Sequence, residues 1–126
     1  MKIYLDDQAY TDRLGWAPEG WVIATNSTEF KRLIEESLKS GEVVEAIDFD
    51  NDLGEEIEGR HLLQWLIDIY PEIALRTDLL VHTENIEAKK ELLGLIRDCK
   101  EHPQDILEKK NQPSYEDLFK ELENPK

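Results

Sequence analysis

Aspartates at alternate positions are the feature of this sequence that most suggests chemistry. In IDFDNDLG, residues 47–54, Asp48, Asp50 and Asp52 interrupt a segment that otherwise has the composition of a buried strand. An unpaired buried carboxylate is costly, so these side chains require hydrogen bonds, water or a cation nearby. The spacing therefore predicts a cation site, a phosphoryl site or only the polar end of a sheet.

The elements that must position these aspartates alternate between strands and helices. Four segments are rich in β-branched or aromatic residues, and amphipathic patterns separate most of them. Crossovers of this length join parallel strands, which predicts an open Rossmann-like α/β sheet of about four strands, in the order 2-1-3-4, with helices on both faces. The predicted strands are residues 2–5, 20–25, 45–49 and 79–82, and the predicted helices are about Thr28–Lys39, Arg60–Tyr70 and Ile86–Lys100.

Apolar spacing also predicts which helical side chains face the core. Asn26 or Ser27 caps the first helix, Gly41 follows its end, and Pro71 ends the second helix. The inward positions are Phe30, Leu33, Ile34 and Leu38 in the first helix, Leu62, Leu63, Leu66 and Ile67 in the second, and Leu92, Leu93 and Ile96 in the third.

The domain prediction is one α/β domain over residues 1–100, followed by a C-terminal helical extension over residues 101–126. The extension contains a short helical pattern at Gln104–Lys109 and an amphipathic segment at Ser114–Glu123. An amphipathic segment of this kind packs on its own domain or on a partner.

The carboxyl ends of the predicted strands carry polar residues that should meet at one edge of the sheet. Several carboxylates at one edge repel each other unless a hard cation such as Mg²⁺ or Mn²⁺ lies among them. The alternative is that these aspartates only begin loops and cap helices. The predicted metal ligands are Asp6, Asp7, Asp50 and Asp52.

The end of the fourth strand adds groups that could act on a phosphate. His82 could transfer a proton and Thr83 could contact an oxygen, although each also has a structural role open to it. Asn85 could cap the following helix or bind phosphate, and Lys89 could be surface charge or reach a phosphate. Asp48 is interpreted as a hydrogen-bonded carboxylate within a partly wet core.

The net charge of −14 argues against binding to duplex DNA or an anionic membrane, since phosphates need Lys and Arg. A metal, a cationic ligand or a basic protein would suit it better. The single cysteine, Cys99, excludes an internal disulfide, and no apolar run reaches the length of a membrane span. The acidic start MKIYLDD does not read as a signal peptide, which predicts a cytoplasmic protein.

Five segments, which carry three separate motifs in order, resemble the cyclic-phosphate processing receiver-like domains, a family similar to the receiver domains of bacterial response regulators. They are KIYLDD, PEGWVIATNSTEFKRLIE, IDFDNDLG, GRHLLQWL and LLVHTEN, and the resemblance covers about residues 1–98. It implies a receiver fold that is truncated before the last strand. It also implies a role in processing cyclic phosphates of nucleotides or RNA ends.

The resemblance assigns roles to individual positions. Asp6 and Asp7 resemble the acidic pair that holds Mg²⁺ in receivers, and Asp50 resembles the phosphoacceptor. His82, Thr83 and Asn85 resemble the signature after the fourth strand.

Two positions depart from the family pattern of LDD-x-R and DHDLG. Ala9 stands where the family has Arg, and Asn51 stands where it has His. Arg13 could substitute for the first of these, and no evident residue replaces the second.

Three functional hypotheses follow. The first is metal-dependent hydrolysis of a cyclic phosphate on a nucleotide or RNA end, with Mg²⁺ or Mn²⁺ on the aspartates and His82 as acid or base. Thr83, Asn85 and Lys89 would then bind phosphate oxygens. The second is a non-catalytic receiver-like module that docks on a protein, including a basic one, and the third is an acidic mimic of nucleic acid.

Overall fold

The computed structural model describes residues 1–109 and contains one four-stranded parallel sheet in the order β2-β1-β3-β4. Helices pack against the sheet, so the predicted receiver-like α/β fold and its strand order are confirmed. The strands are β1 (Lys2–Leu5), β2 (Val22–Ala24), β3 (Ala46–Phe49) and β4 (Asp78–Val81). The helices are α1 (Ser27–Ser40), α2 (Gly59–Ile69), α3 (Pro71–Arg76), α4 (Ile86–Glu101) and α5 (Pro103–Lys109).

The ends of α1 follow the capping pattern in the sequence. The side chain of Asn26 accepts a hydrogen bond from the backbone N–H of Glu29, which satisfies one of the free donors at the start of the helix. Gly41 ends the helix in the left-handed conformation, with φ of 76°, which glycine adopts without a steric cost.

Helix α3 is an element that the sequence interpretation lacks. Pro71 ends α2 as predicted, because it has no N–H to donate to the preceding turn. The same residue then begins α3, where its fixed φ suits the first helical position. The predicted extension begins as α5, whereas the amphipathic segment at Ser114–Glu123 lies outside the described residues.

The hydrophobic core joins one face of the sheet to the buried sides of the helices. The odd-numbered residues Ile3, Leu5, Ile47 and Phe49 are fully buried and belong to the same cluster as the buried residues of the helices. The stripe of α2 is inward as predicted. Its members are Leu62, Leu63, Leu66 and Ile67.

Two predicted core positions are wrong. Leu38 in α1 is 46% exposed and Leu93 in α4 is 47% exposed. Ser37 is buried instead of Leu38, with its hydroxyl donating to the carbonyl oxygen of Ile34 at 2.6 Å. This bond lets a small polar side chain occupy the inward position, so apolar spacing alone predicts the wrong inward residue there.

The even-numbered strand residues lie on the other face. Parallel pairing places Tyr4 beside Asp48, and Asp48 beside Leu80. Because successive side chains alternate between faces, Asp6, Asp50 and His82 continue these rows beyond the strand ends. This face and its polar end hold the candidate site.

The connection between β1 and β2, residues 6–21, consists of turns without a helix or strand. It begins at the polar end of β1 and returns to the opposite end of the neighbouring strand. Within residues 1–109, no helix combines the length and the apolar character that a membrane crossing needs.

Candidate functional site

Two buried carboxylates lie side by side at the ends of the central strands. Asp6 directly follows β1 and Asp50 directly follows β3. The sheet pairing continues through their backbones, because the N–H of Asp6 donates to the carbonyl of Ala24 and that of Asp50 to the carbonyl of Leu5, each at 3.0 Å. Both side chains are almost fully buried, so their charges need nearby compensation.

Arg13 supplies part of that compensation from the β1–β2 connection. Its Nη1 atom lies 3.1 Å from Oδ2 of Asp6 and 3.0 Å from Oδ2 of Asp50. One guanidinium thus neutralises charge on both carboxylates in a partly buried setting. These two ion pairs raise the pKa of Arg13, although burial opposes them.

His82 lies between a third carboxylate and the first. Its Nδ1 is 2.7 Å from Oδ1 of Asp48, and its Nε2 is 3.2 Å from Oδ2 of Asp6. The imidazole also stacks on the ring of Tyr4, with centroids 4.4 Å apart and planes 9° apart. Asp48 and Tyr4 therefore fix the orientation of the ring and leave Nε2 directed at the buried aspartates.

The surroundings favour the protonated form of His82. Burial alone lowers the pKa of this imidazole, but the hydrogen bond to Asp48 and the charges of Asp48, Asp50 and Asp6 outweigh it. The resulting pKa lies above the ordinary value of 6.5. With both ring nitrogens facing carboxylates, the imidazolium can donate at both positions.

Burial and negative charge also shift the neighbouring acids. Burial and the charge of Asp6 raise the pKa of Asp50 above its ordinary value, although Arg13, the N–H of Asn51 and His82 lower it. Burial and the charges of Asp6 and Asp48 raise the pKa of Tyr4 to about 12. Titratable groups with opposed environments in one small space are typical of functional sites.

The donor atoms of this cluster fit a divalent cation. Asp6, Asp50 and His82 each offer one ligand atom, and these three atoms lie within 4.8 Å of one another. Two carboxylate oxygens suit Mg²⁺ or Mn²⁺. The imidazole can add a nitrogen ligand only in its neutral form, because the imidazolium has no free lone pair. Arg13 pairs with both carboxylates, so a bound cation and this guanidinium would both interact with the negative charges of Asp6 and Asp50.

The other two predicted metal ligands lie outside this three-residue group. Asp7 is half-buried, and burial together with the charge of Asp6 raises its pKa. Asp52 is exposed, and its negative charge is only a minor contribution to the raised pKa of Asp7. In the described part of the chain, the geometry thus joins Asp6 and Asp50 to His82 rather than to Asp7 and Asp52.

The remaining predicted residues at the end of β4 have local structural contacts. The hydroxyl of Thr83 accepts a hydrogen bond from the N–H of Asn85 at 3.2 Å. The side chain of Asn85 caps α4 by accepting from the N–H of Ala88 at 3.1 Å. Lys89 is exposed in the first turns of α4. These contacts match the helix-capping interpretation of Asn85.

Asn51 and Ala9 mark the two departures from the family pattern. Asn51 is buried and holds the start of α2, because its side chain donates to Glu58 at 3.2 Å and accepts from the N–H of Arg60 at 3.3 Å. Ala9 is buried as well. Arg13, four residues later, places a guanidinium on Asp6 and Asp50.

Asp48 and Tyr4 are site residues whose roles the sequence interpretation did not include. The interpretation of Asp48 as a hydrogen-bonded carboxylate names no partner for it, and the structure gives His82 as that partner. The signal was present in the alternation, because residues 48, 50 and 82 fall on the same face once β3 and β4 are paired. Tyr4 joins them through its pairing with Asp48.

Comparison with known proteins agrees with this geometry. No curated protein and no solved structure matches the chain. Residues 1–98 match the family described as the cyclic-phosphate processing receiver domain, and this range contains all four strands and the whole cluster of Asp6, Arg13, Asp48, Asp50 and His82. With most of its length and its entire candidate site inside that match, the chain belongs to the cyclic-phosphate processing receiver domain family.

Proposed function

We propose that the cluster at the ends of β1, β3 and β4 hydrolyses a cyclic phosphate on a nucleotide or RNA end. The observation that carries this proposal is the position of His82, held by Asp48 with Nε2 beside Asp6 and near the Asp6–Arg13–Asp50 pairs. A proton donor, carboxylate acceptors and a guanidinium thus occupy one small space. These groups can supply the acid, the base and the charge stabilisation that assist ring opening of a cyclic phosphodiester.

His82 acts as the general acid in this proposal. Water adds to phosphorus to form a new P–O bond, and the bond to one ring oxygen breaks. The departing oxygen takes the proton from Nε2 of His82, which leaves a phosphate monoester and a free hydroxyl. Asp48 stabilises the imidazolium before transfer and fixes which nitrogen faces the substrate, since it holds Nδ1 at 2.7 Å.

Asp50 is the better placed of the two buried carboxylates to accept the proton of the attacking water. Its raised pKa makes it a stronger base than an ordinary aspartate. Both carboxylates have a backbone N–H on Oδ1, from Gln8 for Asp6 and from Asn51 for Asp50, and Arg13 on Oδ2. Asp50 has one partner fewer, because Oδ2 of Asp6 also faces His82.

Arg13 binds the phosphate in this proposal. A guanidinium matches the geometry of phosphate oxygens, and its charge compensates the carboxylates that would otherwise repel the anion. Mg²⁺ or Mn²⁺, held by Asp6 and Asp50 with His82 nearby, would add further positive charge to polarise the phosphate. Thr83, Asn85 and Lys89 remain candidates for contacts with outer phosphate oxygens.

The test is turnover of adenosine 2′,3′-cyclic phosphate and related cyclic phosphates, with Mg²⁺ or Mn²⁺ present, measured by chromatography of the monophosphate product. His82→Ala should lower the rate by at least about a hundredfold, in line with the usual contribution of a general acid. His102→Ala is the matched control, because His102 is exposed at the end of α4 and its loss should leave the rate unchanged. Equal rates for wild type and His82→Ala, or a wild type that opens no member of the panel, would refute hydrolysis at this cluster.

A further inference from the structure

Trp16 is an exposed aromatic side chain held directly beside the cluster. It lies in the β1–β2 connection, and its backbone N–H donates to the carbonyl of Arg13 at 3.0 Å. The guanidinium carbon of Arg13 lies over the indole, 5.2 Å from the ring centroid. Trp16 nevertheless remains 54% exposed.

Arg13 connects the indole to the buried carboxylates. The same guanidinium that pairs with Asp6 and Asp50 covers the indole from one side. Arg13 covers part of the ring and the residue is still more than half exposed, so a ligand can reach the indole from solvent. A planar group could therefore stack on Trp16 while an attached phosphate reaches the cluster.

We propose that Trp16 is the stacking platform for the base of a nucleoside cyclic phosphate, so that the site selects a nucleotide over other cyclic phosphates. This inference rests on the proposed function for the position of the phosphate. Stacking on an aromatic ring accepts any base, because every base has a π-face.

Because the protein is strongly acidic, stacking is an important source of affinity for a ligand that carries phosphate. With a net charge of −14, the surface repels the phosphate backbone of a nucleic acid, and general electrostatic attraction cannot supply the affinity. An uncharged contact with the base avoids that repulsion. Arg13 would then contribute to both halves of the ligand, through the phosphate and through the indole that it supports.

The experiment compares two ligands that differ only by the base. Adenosine 3′-monophosphate and ribose 3-phosphate both resemble hydrolysis products, so neither is consumed during a calorimetric titration with Mg²⁺ present. Wild type should bind the nucleotide more tightly by a factor of about 5 to 150, the range that base stacking provides. Trp16→Ala should remove this difference, and Trp16→Phe should retain most of it.

Two controls separate stacking from other effects of the substitution. Tyr10→Ala removes another exposed aromatic side chain of the same connection and should leave both affinities unchanged. Trp16→Leu removes the aromatic ring while keeping bulk, in case Trp16→Ala fails to fold.

Three results would overturn the inference: wild type binding both ligands equally, wild type binding neither, or a Trp16 variant losing affinity for both by the same factor. The last would mean that Trp16 only positions Arg13. A protein that binds the nucleotide through Trp16 and yet opens no cyclic phosphate would refute the proposed hydrolysis alone.

Discussion

The two faces of the sheet use the same strands for opposite purposes. On β3, Ile47 and Phe49 are fully buried in the core, whereas Asp48, between them, is only partly buried and holds His82. On β1, Ile3 and Leu5 enter the core, whereas Tyr4 stacks on that histidine. Since alternate residues point to opposite faces, one short strand can stabilise the fold and position the chemistry independently.

The difference between the faces lies in what covers them. Helical side chains complete the core on the odd-numbered face, where apolar burial supplies the stabilising free energy. On the even-numbered face, Trp21 approaches the edge of Tyr4, and Arg13 covers Asp6 and Asp50. Residues of the β1–β2 connection thus cover this face, whereas helices cover the other.

The largest loss of stability should come from a substitution in the hydrophobic core. Ile47→Ala removes a fully buried side chain and should lower the free energy of unfolding by about 2–5 kcal/mol, as measured by guanidinium denaturation. The rate of cyclic-phosphate opening per folded molecule should stay near that of wild type. A hundredfold loss of rate in the folded variant would show that the faces are not independent.

Asp48→Asn, a substitution on the even-numbered face, should lower the free energy of unfolding by an amount that depends on pH. Because the pKa of folded His82 lies above its unfolded value of 6.5, its ionisation stabilises the fold fully below about pH 6.5, and this contribution is lost as the pH rises through the folded pKa. Asp48→Asn removes the main partner of the imidazolium and should lower the pKa of His82. The cost in unfolding free energy should reach about 1.5–3 kcal/mol at about pH 6, just below the unfolded pKa of the imidazole, which is the usual worth of a hydrogen bond to a charged group.

Two measurements check the prediction for Asp48→Asn. An NMR titration of the imidazole protons follows the pKa of His82, and denaturation at several pH values gives the stability. A pKa for His82 that is the same in both proteins would contradict the assigned pair.

A substitution at Gly59 tests whether the packing of α2 holds Asp50 of the candidate site in place. A methyl group there would overlap the backbone carbonyl oxygen of Asp50, because the start of α2 passes directly against this strand end. Gly59→Ala should therefore cost about 1–3 kcal/mol of stability and lower turnover by displacing Asp50. In Gly94→Ala the added methyl meets nothing within 4 Å, so this helical control should gain up to about 1 kcal/mol. If the two variants had equal stability, the close packing at Gly59 would be refuted.

The smallest effect separates capping from phosphate binding at Asn85. Asn85→Ala should cost about 1 kcal/mol, because it removes the cap of α4, whereas Asn85→Asp keeps an acceptor oxygen and should preserve stability. Thermal melts measure both. If Asn85 also binds phosphate through its amide N–H groups, Asn85→Asp should lower turnover while the melting temperature is kept. Unchanged turnover in Asn85→Asp would restrict the residue to capping.

The sequence predicts the parts of this molecule that periodicity and strand position determine. The bounds of β1 follow from its composition, and Asp6, Asp50 and His82 follow from their places after parallel strands. These residues lie together because the strands are parallel and adjacent, which needs no knowledge of side-chain packing.

Other features depend on side-chain contacts that the periodicity of apolar residues does not predict. Arg13 lies in a connection without regular structure, so its approach to both Asp6 and Asp50 depends on how residues 6–21 fold back over the strand ends. The burial of Ser37 rests on a hydrogen bond within its own helix, and the start of α3 depends on Pro71 serving two elements at once. In each case a local polar or steric contact decides against the apolar pattern.

The most direct test of the central claim is a crystal structure grown with Mg²⁺ and orthovanadate as a phosphate mimic. The proposed site predicts vanadate within hydrogen-bond distance of Nε2 of His82 and of the Arg13 guanidinium, with Asp48 still bonded to Nδ1. Density for vanadate at another surface, or an empty cluster at saturating concentration, would contradict a phosphate site at the ends of β1, β3 and β4.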